Sequence, residues 1–229
     1  TLRDLVQDRM RAAIIEGVFE PGQRLVERPL CDQLGVSRTV VRETIRYLEA
    51  EGLVQIIPGQ GPIVARLNRD EAVQIYEIRL MLEAAAAKSC AKKMTAALGC
   101  ELNEAFAELK ASFTDETPGA LPRATTRFYG VIFNGAGHEI AWDIVQRLNG
   151  RISRLRMMTL ATENRATSGL EHMETIAAAV LSGDGAASEA AVIAHITEAK
   201  ALALQILDSQ PEKKRGALSE KGAPRGLRS

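Results

Sequence analysis

The sequence predicts a mainly α-helical protein with a small N-terminal head and an all-helical bundle behind it. Segments with the 3.6-residue period of an amphipathic helix, many of them rich in alanine, fill most of the 229 residues. Two short β-rich runs at 53–57 and 63–65 flank a tight turn, and no strand pattern comes after them. We therefore expect one two-stranded hairpin at the end of the head and only helices after it.

The first part of the head is expected to form a helix and then a helix-turn-helix. Apolar residues at helical spacing end before Gly17, which suits a helix C-terminus. A short helix is expected next, at 29–34, with proline in its first turn. Gly35 and Ser37 supply a turn and an N-cap for the next helix, at 38–48. Two short helices joined in this way can place the second one in a DNA major groove.

The second helix of this motif has one stripe for packing and one for contact. At about 100° per residue, the packing stripe contains Val41, Thr44, Ile45 and Leu48. The neighbouring polar stripe contains Arg38, Thr39, Arg42 and Arg46. Arginine suits bidentate contact with guanine or phosphate, and the hydroxyls of Ser37 and Thr39 suit phosphate or base-edge bonds. A basic stripe alone is usually a solvated face, but the adjoining turn, helix and hairpin favour DNA contact here.

Charge and composition limit how such contact can work. Residues 1–66 carry nine Lys or Arg and nine Asp or Glu, residues 67–209 carry fourteen and eighteen, and residues 210–229 carry six and two. A neutral head must bind DNA through individually placed arginines rather than bulk attraction. Glu27 and Glu43 are better suited to hold arginines in place than to touch DNA. Aromatic residues make up only 4%, which disfavours stacking on single-stranded nucleic acid.

The sequence has no feature that points to a membrane or to export. No run approaches eighteen consecutive apolar residues, and no short apolar run comes after a basic cluster at the start. Cys31, Cys90 and Cys100 are odd in number and lack metal-ligand spacing, so we expect reduced thiols. We therefore expect a cytoplasmic protein without a membrane partner.

Three motifs of the head keep their mutual spacing without a gap: RLVERPL at 24–30, LGVSRTVVRE at 34–43 and LEAEGLV at 48–54. Over about 5–67 they resemble the winged-helix domain of the GntR family of bacterial transcription regulators. Val40 departs from this resemblance, since the family commonly has proline there. The resemblance adds two contacts to those above, and the expected DNA-binding residues are Arg28, Ser37, Arg38, Thr39, Arg42 and Gly59.

A polar cap and early acids at 68–71 begin the first helix of a second domain. Glycines and prolines divide this domain into six expected helices, at 70–93, 96–113, 122–134, 138–160, 168–182 and 185–208. The expected domains are a winged helix-turn-helix at 1–67, an all-helical ligand-binding and dimerisation domain at 68–209, and a basic, disordered tail at 210–229.

Four further segments, YEIRLMLE at 76–83, TTRFY at 125–129, GLEH at 169–172 and GD at 183–184, precede His195. Together they resemble the FCD-type effector domain of the FadR-like branch of GntR regulators. The resemblance covers most of the second domain, although its motifs are less specific than those of the head. Many members of this branch hold a divalent metal with an Asp, a His four residues later on the same helix, and two further His.

This sequence departs from the metal-binding pattern. Thr125 and Tyr129 stand at the first two ligand positions, and both are poor ligands for a transition metal. His172 and His195 remain, and two imidazoles alone make a weak site. The resemblance thus implies a divalent metal such as zinc, whereas the residues present favour none.

The same positions are expected to line a polar cavity for an anionic effector, most simply a carboxylate. The expected effector-binding residues are Arg79, Thr125, Tyr129, His172 and His195. Arg79 is the expected clamp, because guanidinium offers a fork of donors. Two plainer interpretations stay open: an ion pair between Arg79 and Glu83 one turn on, and buried histidines that bond only within the protein.

The resemblance implies a homodimeric regulator that binds a pseudo-palindromic DNA operator and is not an enzyme. We expect a repressor that a small organic acid releases from DNA. Two alternatives remain, a metal-dependent enzyme with an appended DNA-binding head and a DNA binder without an effector. The first alternative needs a full ligand set and a placed base, and neither is visible in the sequence.

Overall fold

Within residues 1–160, 162 and 165–209, which the computed structural model describes, the fold is a winged head followed by six long helices. The head contains α1 (Leu2–Ile15), α2 (Glu27–Leu34), α3 (Arg38–Ala50), β1 (Val54–Ile57) and β2 (Gly61–Val64). The bundle contains α4 (Arg69–Lys92), α5 (Ala96–Ser112), α6 (Ala120–Ala136), α7 (Glu139–Leu160), α8 (Arg165–Leu181) and α9 (Gly185–Ser209). The predicted fold class is confirmed, and the predicted tail at 210–229 lies outside the described residues.

The head elements begin and end where the sequence supplies local signals. Gly35, with φ +66°, ends α2 in the left-handed conformation that suits glycine. Ser37 Oγ then caps α3 by accepting a hydrogen bond from the Val40 N–H at 3.4 Å. The backbone N–H that valine has here, and that the proline common in the family lacks, is therefore hydrogen-bonded. β1 and β2 pair antiparallel and, with the turn between them at Gly59, form the wing.

The head has its own hydrophobic core, built from α1, α2, α3 and the wing. Met10, Leu30 and Leu48 are at most 1% exposed within it. Arg11 of α1 holds the end of α3, because its Nε and Nη2 each lie 2.9 Å from the Glu51 carboxylate. The helix that carries the polar stripe is therefore held in place by the packed core of the head.

The bundle is organised around α4, which packs most extensively against α9, while α5 packs on α6 and α8 on α9. α6 passes close to its neighbours at Gly135, where a Cβ would lie 2.7 Å from Leu98 Cδ2 and 2.9 Å from Cys90 Sγ. The helix begins at Ala120 rather than at the predicted 122, because proline is tolerated in a first turn. The buried apolar residues of these helices form one core, separate from that of the head.

α9 is also the one helix of the described chain that is long and apolar enough to cross a membrane. Length and composition alone are weak evidence, since core helices of globular proteins share them. α9 packs against α4, α7 and α8, and Val192, Ile196 and Ala203 belong to the bundle core. Of the most apolar stretch of α9, 28% is buried, so this helix packs against the bundle with one face.

The head and the bundle meet at the middle of α7. Gly150 lets α7 approach closely, because a Cβ there would lie 2.8 Å from Leu53 Cγ and 3.2 Å from the Glu51 carbonyl oxygen. One turn on, the Arg154 guanidinium donates to the Ala65 carbonyl. Burial lowers the pKa of Arg154 to about 10. The two domains are thus joined by packing as well as by the chain.

We expect Gly150→Ala to destabilise the protein by about 1–3 kcal/mol, because the added methyl group overpacks this junction. The matched control is Gly99→Ala in α5, where a Cβ would meet only ordinary contacts at 3.7 Å or more. That change should stabilise by about 0.5–1 kcal/mol, as alanine normally does in a helix. Urea unfolding of both variants measures whether each change raises or lowers the free energy of unfolding. Equal stabilisation by both would contradict the close approach at Gly150.

Candidate DNA interface and effector cavity

α3 presents the two stripes that the sequence predicts. Val41, Ile45 and Leu48 are at most 4% exposed and pack into the head core. The polar stripe is exposed at Arg38, Thr39, Arg42 and Arg46. The first turn of α3, where unpaired backbone donors add partial positive charge, therefore faces solvent.

An ion pair between α2 and α3 orients one of these arginines. Arg42 Nε lies 2.7 Å from Glu27 Oε1, and the Arg42 side chain is 62% exposed. The hydrogen bond from Arg42 lowers the pKa of Glu27, so this carboxylate stays charged. Because the pair uses Nε, the Nη nitrogens of Arg42 remain for a phosphate or base edge. The expectation that Glu27 holds an arginine in place is confirmed.

The remaining predicted DNA contacts are also on the surface. Ser37 is exposed in the turn before α3, and Arg28 is exposed on α2. Gly59 lies at the tip of the wing with φ +79°, and a Cβ there would meet no heavy atom within 4 Å. Glycine at this point lets backbone approach a groove or a phosphate closely. All six predicted residues are therefore accessible to a ligand outside the protein.

The bundle contains a cavity of about 40 Å³ between α4, α5, α6, α7, α8 and α9. By the same measure one water needs roughly 10–15 Å³, so the cavity suits a few waters or a small solute. Much of its wall is apolar, including Leu109, Phe113, Leu121 and Met173. The polar side chains at the wall are Arg79, Thr125, Ser153, Arg156, Thr159 and His195.

The structure brings to this wall three of the five predicted effector-binding residues, Arg79, Thr125 and His195. It places Tyr129 and His172 outside the wall, and both rings contact other side chains there. The buried Tyr129 hydroxyl has no hydrogen-bond partner among the described residues. The Tyr129 ring packs against Phe128, with ring centroids 5.6 Å apart. His172 Nε2 lies 2.5 Å from Glu198 Oε2, and its ring centroid is 5.4 Å from that of His195.

Arg79 forms the ion pair that the sequence left open as the plainer alternative. Its Nε and Nη2 lie 2.8 and 3.3 Å from the two Glu83 carboxylate oxygens, and both side chains are at most 1% exposed. Burial lowers the pKa of Arg79, but the Glu83 carboxylate outweighs burial and raises it above its usual value. Arg79 Nη1 has no hydrogen-bond acceptor among the described residues. The ion pair thus leaves one buried donor unsatisfied.

Arg156 on α7 is a cavity residue that the sequence motifs did not reveal. Its side chain is 14% exposed, and Nη2 lies 4.0 Å from Glu83 Oε1. Its guanidinium carbon lies 5.2 Å from the centroid of the Tyr129 ring. Burial lowers the pKa of Arg156, and the neighbouring Arg79 lowers it further. Helical periodicity gave no signal, because an arginine on an amphipathic helix usually belongs to the solvated face.

The residues at the expected metal position do not fit a metal. Thr125 Oγ1 donates to the Leu121 carbonyl at 2.7 Å, so its hydroxyl is already engaged. Burial raises the pKa of the Tyr129 phenol, which keeps this group neutral. In the described part of the chain, no group of three or more His, Cys, Asp or Glu side chains converges as a metal site requires. His172 and His195 therefore lack the further ligands that a bound metal needs.

A winged helix-turn-helix with an accessible basic stripe, packed on a helical domain with a cavity between its helices, is the architecture of a DNA-binding transcription regulator. Family models match both halves. The model described as bacterial regulatory proteins, gntR family, matches residues 2–64, and the FCD domain model matches residues 74–198. The chain belongs to the GntR family of bacterial transcription regulators and carries an FCD domain.

Similar proteins are transcription regulators rather than enzymes. Over 82 residues the chain is 42% identical to an HTH-type transcriptional regulator in the TAR-I ttuE-ttuC' intergenic region of Agrobacterium vitis. The matched segment covers 36% of this chain and 48% of that protein. Over 189 residues it is 25% identical to the HTH-type transcriptional repressor RspR of Escherichia coli, covering 82% and 83%. The structure of E. coli McbR/YncC shares the fold, with a TM-score of 0.72 and 22% identity over 90% of this chain and 98% of that one.

We expect Arg38→Ala to weaken binding to a specific duplex by about 1–3 kcal/mol and to relax sequence preference, because Arg38 is exposed where α3 can reach base edges. Fluorescence anisotropy against specific and scrambled duplexes measures both effects. Arg147→Ala, an exposed change on α7 outside the head, is the control and should leave binding unchanged. Equal losses on the two duplexes would reduce Arg38 to a phosphate contact.

Proposed function

We propose that this DNA-binding regulator is a ligand-responsive repressor, which leaves its operator when a small organic acid enters the cavity of the FCD domain. The observation that carries the proposal is the position of Met157. Its side chain is part of the cavity wall and also packs against the hydrophobic core of the head. A ligand in the cavity therefore meets a residue that touches the DNA-binding domain.

The neighbouring turns of α7 support the same coupling. Gly150 and Arg154 contact the head, while Ser153 and Arg156 face the cavity. Shifts of packed helices by roughly 1–2 Å are an established way to pass a signal between structural units. The acid acts only if it binds one arrangement of the head and bundle more tightly than the other. α7 gives that difference in affinity a direct path to the DNA-binding surface.

An acid suits the cavity because the charged groups at one end of it are mostly positive. Arg79 and Arg156 both line the wall, and Glu83 is the carboxylate that faces them. Positive charge held away from water favours an anionic ligand, since burial without a full partner is unfavourable. A carboxylate is the simplest organic anion that matches a guanidinium fork.

The protein is proposed to work in the cytoplasm as a homodimer, with DNA binding by 1–67 and ligand binding and dimerisation by 68–209. Two half-sites of a pseudo-palindromic operator match a twofold protein. Ile140 and Ile144, which are 79% and 44% exposed one turn apart on α7, supply an apolar surface for such a contact. The name of the E. coli relative, a repressor, supports the direction of the response.

A gel-shift with the DNA upstream of the protein's own coding region, repeated with a panel of small carboxylates, tests this function. We expect an effective acid to weaken operator binding by about 5- to 150-fold, the usual range of allosteric coupling. Unchanged affinity across the panel would instead identify a DNA binder without an effector. Failure to bind any regulatory DNA would contradict the assignment of the head.

Met157→Ala should bring that acid-dependent change closer to onefold, because it removes the side chain that the cavity and the head share. Met158→Ala is a matched control, since this neighbouring methionine packs against the bundle core and does not line the cavity. The readout is the ratio of operator Kd values with and without saturating acid. The coupling role of Met157 is contradicted if both variants reduce the ratio equally, or if neither does.

A further inference from the structure

We propose that Arg156 is the ligand-binding residue at the charged end of the cavity, and that it selects acids with a single negative charge and an apolar body. This inference rests on the proposed function of the cavity as an effector site. It assigns ligand specificity to a residue on α7, outside the segments whose resemblance predicted the site.

The charged end of the cavity holds one carboxylate between two guanidinium groups. Glu83 Oε1 lies 2.8 Å from Arg79 Nε and 4.0 Å from Arg156 Nη2. All three side chains are largely withdrawn from water, with 14% exposure for Arg156 and at most 1% for the others. Guanidinium does not lose its proton in proteins, so the cluster keeps an excess of one positive charge. A single negative charge on a ligand would balance it.

Two buried nitrogens of this cluster have no acceptor among the described residues, Arg79 Nη1 and Arg156 Nε. Buried donors in folded proteins are nearly always bonded, so this pair indicates a missing acceptor. Both residues line the cavity, and we infer that a carboxylate bound there supplies the acceptor. The Tyr129 ring lies under the Arg156 guanidinium and favours its charged form there.

The rest of the wall limits what such a ligand can carry. The hydroxyls of Thr125 and Thr159 already donate to main-chain carbonyls of their own helices, at 2.7 and 2.8 Å. Leu109, Phe113 and Met173 make their part of the wall apolar. Ser153 and His195 are the other polar side chains of the wall besides the two arginines, so a hydroxyl-rich sugar acid would regain few of its bonds to water. A second carboxylate would meet no Lys and no third Arg at the wall of the cavity in the described chain.

Isothermal titration calorimetry on the protein tests the assignment with five probes small enough for the cavity: acetate, propionate, acetamide, propionamide and malonate. We expect the wild-type protein to bind the two monocarboxylates, and to bind the amides and malonate at least roughly tenfold more weakly. Arg156→Met removes the charge and keeps a long side chain, and it should weaken monocarboxylate binding by at least roughly tenfold. Arg147→Met, an exposed change on the same helix, should bind like wild type.

Thermal unfolding without ligand separates this role from a structural one. A structural arginine would destabilise the protein when replaced, whereas relief of an uncompensated buried charge leaves Arg156→Met at least as stable as wild type. Arg156→Lys keeps the charge without the planar fork. It should still prefer propionate to propionamide, with a weaker affinity than wild type.

The assignment is overturned if Arg156→Met binds the monocarboxylates as tightly as wild type, or if the amides bind as well as the acids. Preference for malonate over propionate, or no binding of either monocarboxylate, would overturn it as well. Operator binding by the wild-type protein without acid is measured on the same preparation. Its absence counts against the regulator itself. Operator binding together with acid binding that Arg156→Met leaves unchanged counts against the role of Arg156 alone.

Discussion

Helix α7 packs against the head and also lines the cavity of the bundle, and the proposed coupling depends on this double contact. At Gly150 it comes so close to the head that a side chain would overlap Leu53. Two turns later, Met157 lies against the head core and the cavity at once. Packed interiors resist gradual deformation, so a displacement of α7 would alter its contacts with both the head and the cavity. The contact that holds the domains together is therefore also the path that we propose for coupling the cavity to the DNA-binding surface.

The two proposed sites use arginine in different ways. The head is neutral overall, and its arginines stand in solvent, where Glu27 orients Arg42 without burying it. Exposed pairs of this kind are weak and easily exchanged, which suits reversible contact with phosphates. The bundle instead withdraws Arg79 and Arg156 from water, where charges interact more strongly. A buried, incompletely balanced cluster is unfavourable alone and selective toward the ligand that completes it.

Local sequence signals predict much of the fold and only part of the cavity. Ser37 and Asn68 begin their helices as caps, and both cap bonds form. The Arg79–Glu83 pair follows from helical spacing alone, and the sequence predicts it as one of two alternatives. Arg156 has no such signal. α7 has 22 residues, and its packing against five other elements decides which of its turns faces the cavity. Long-range packing of this kind leaves no mark in periodicity.

Hydrogen–deuterium exchange of the protein, with and without operator DNA, tests the central claim most directly, because it reports local opening along the chain. The account predicts slower exchange in α3 and the wing on DNA binding, together with altered exchange at the amides of 150–159 in α7. Changes confined to the head would contradict the coupling through α7, and unchanged exchange in α3 would contradict the DNA interface itself.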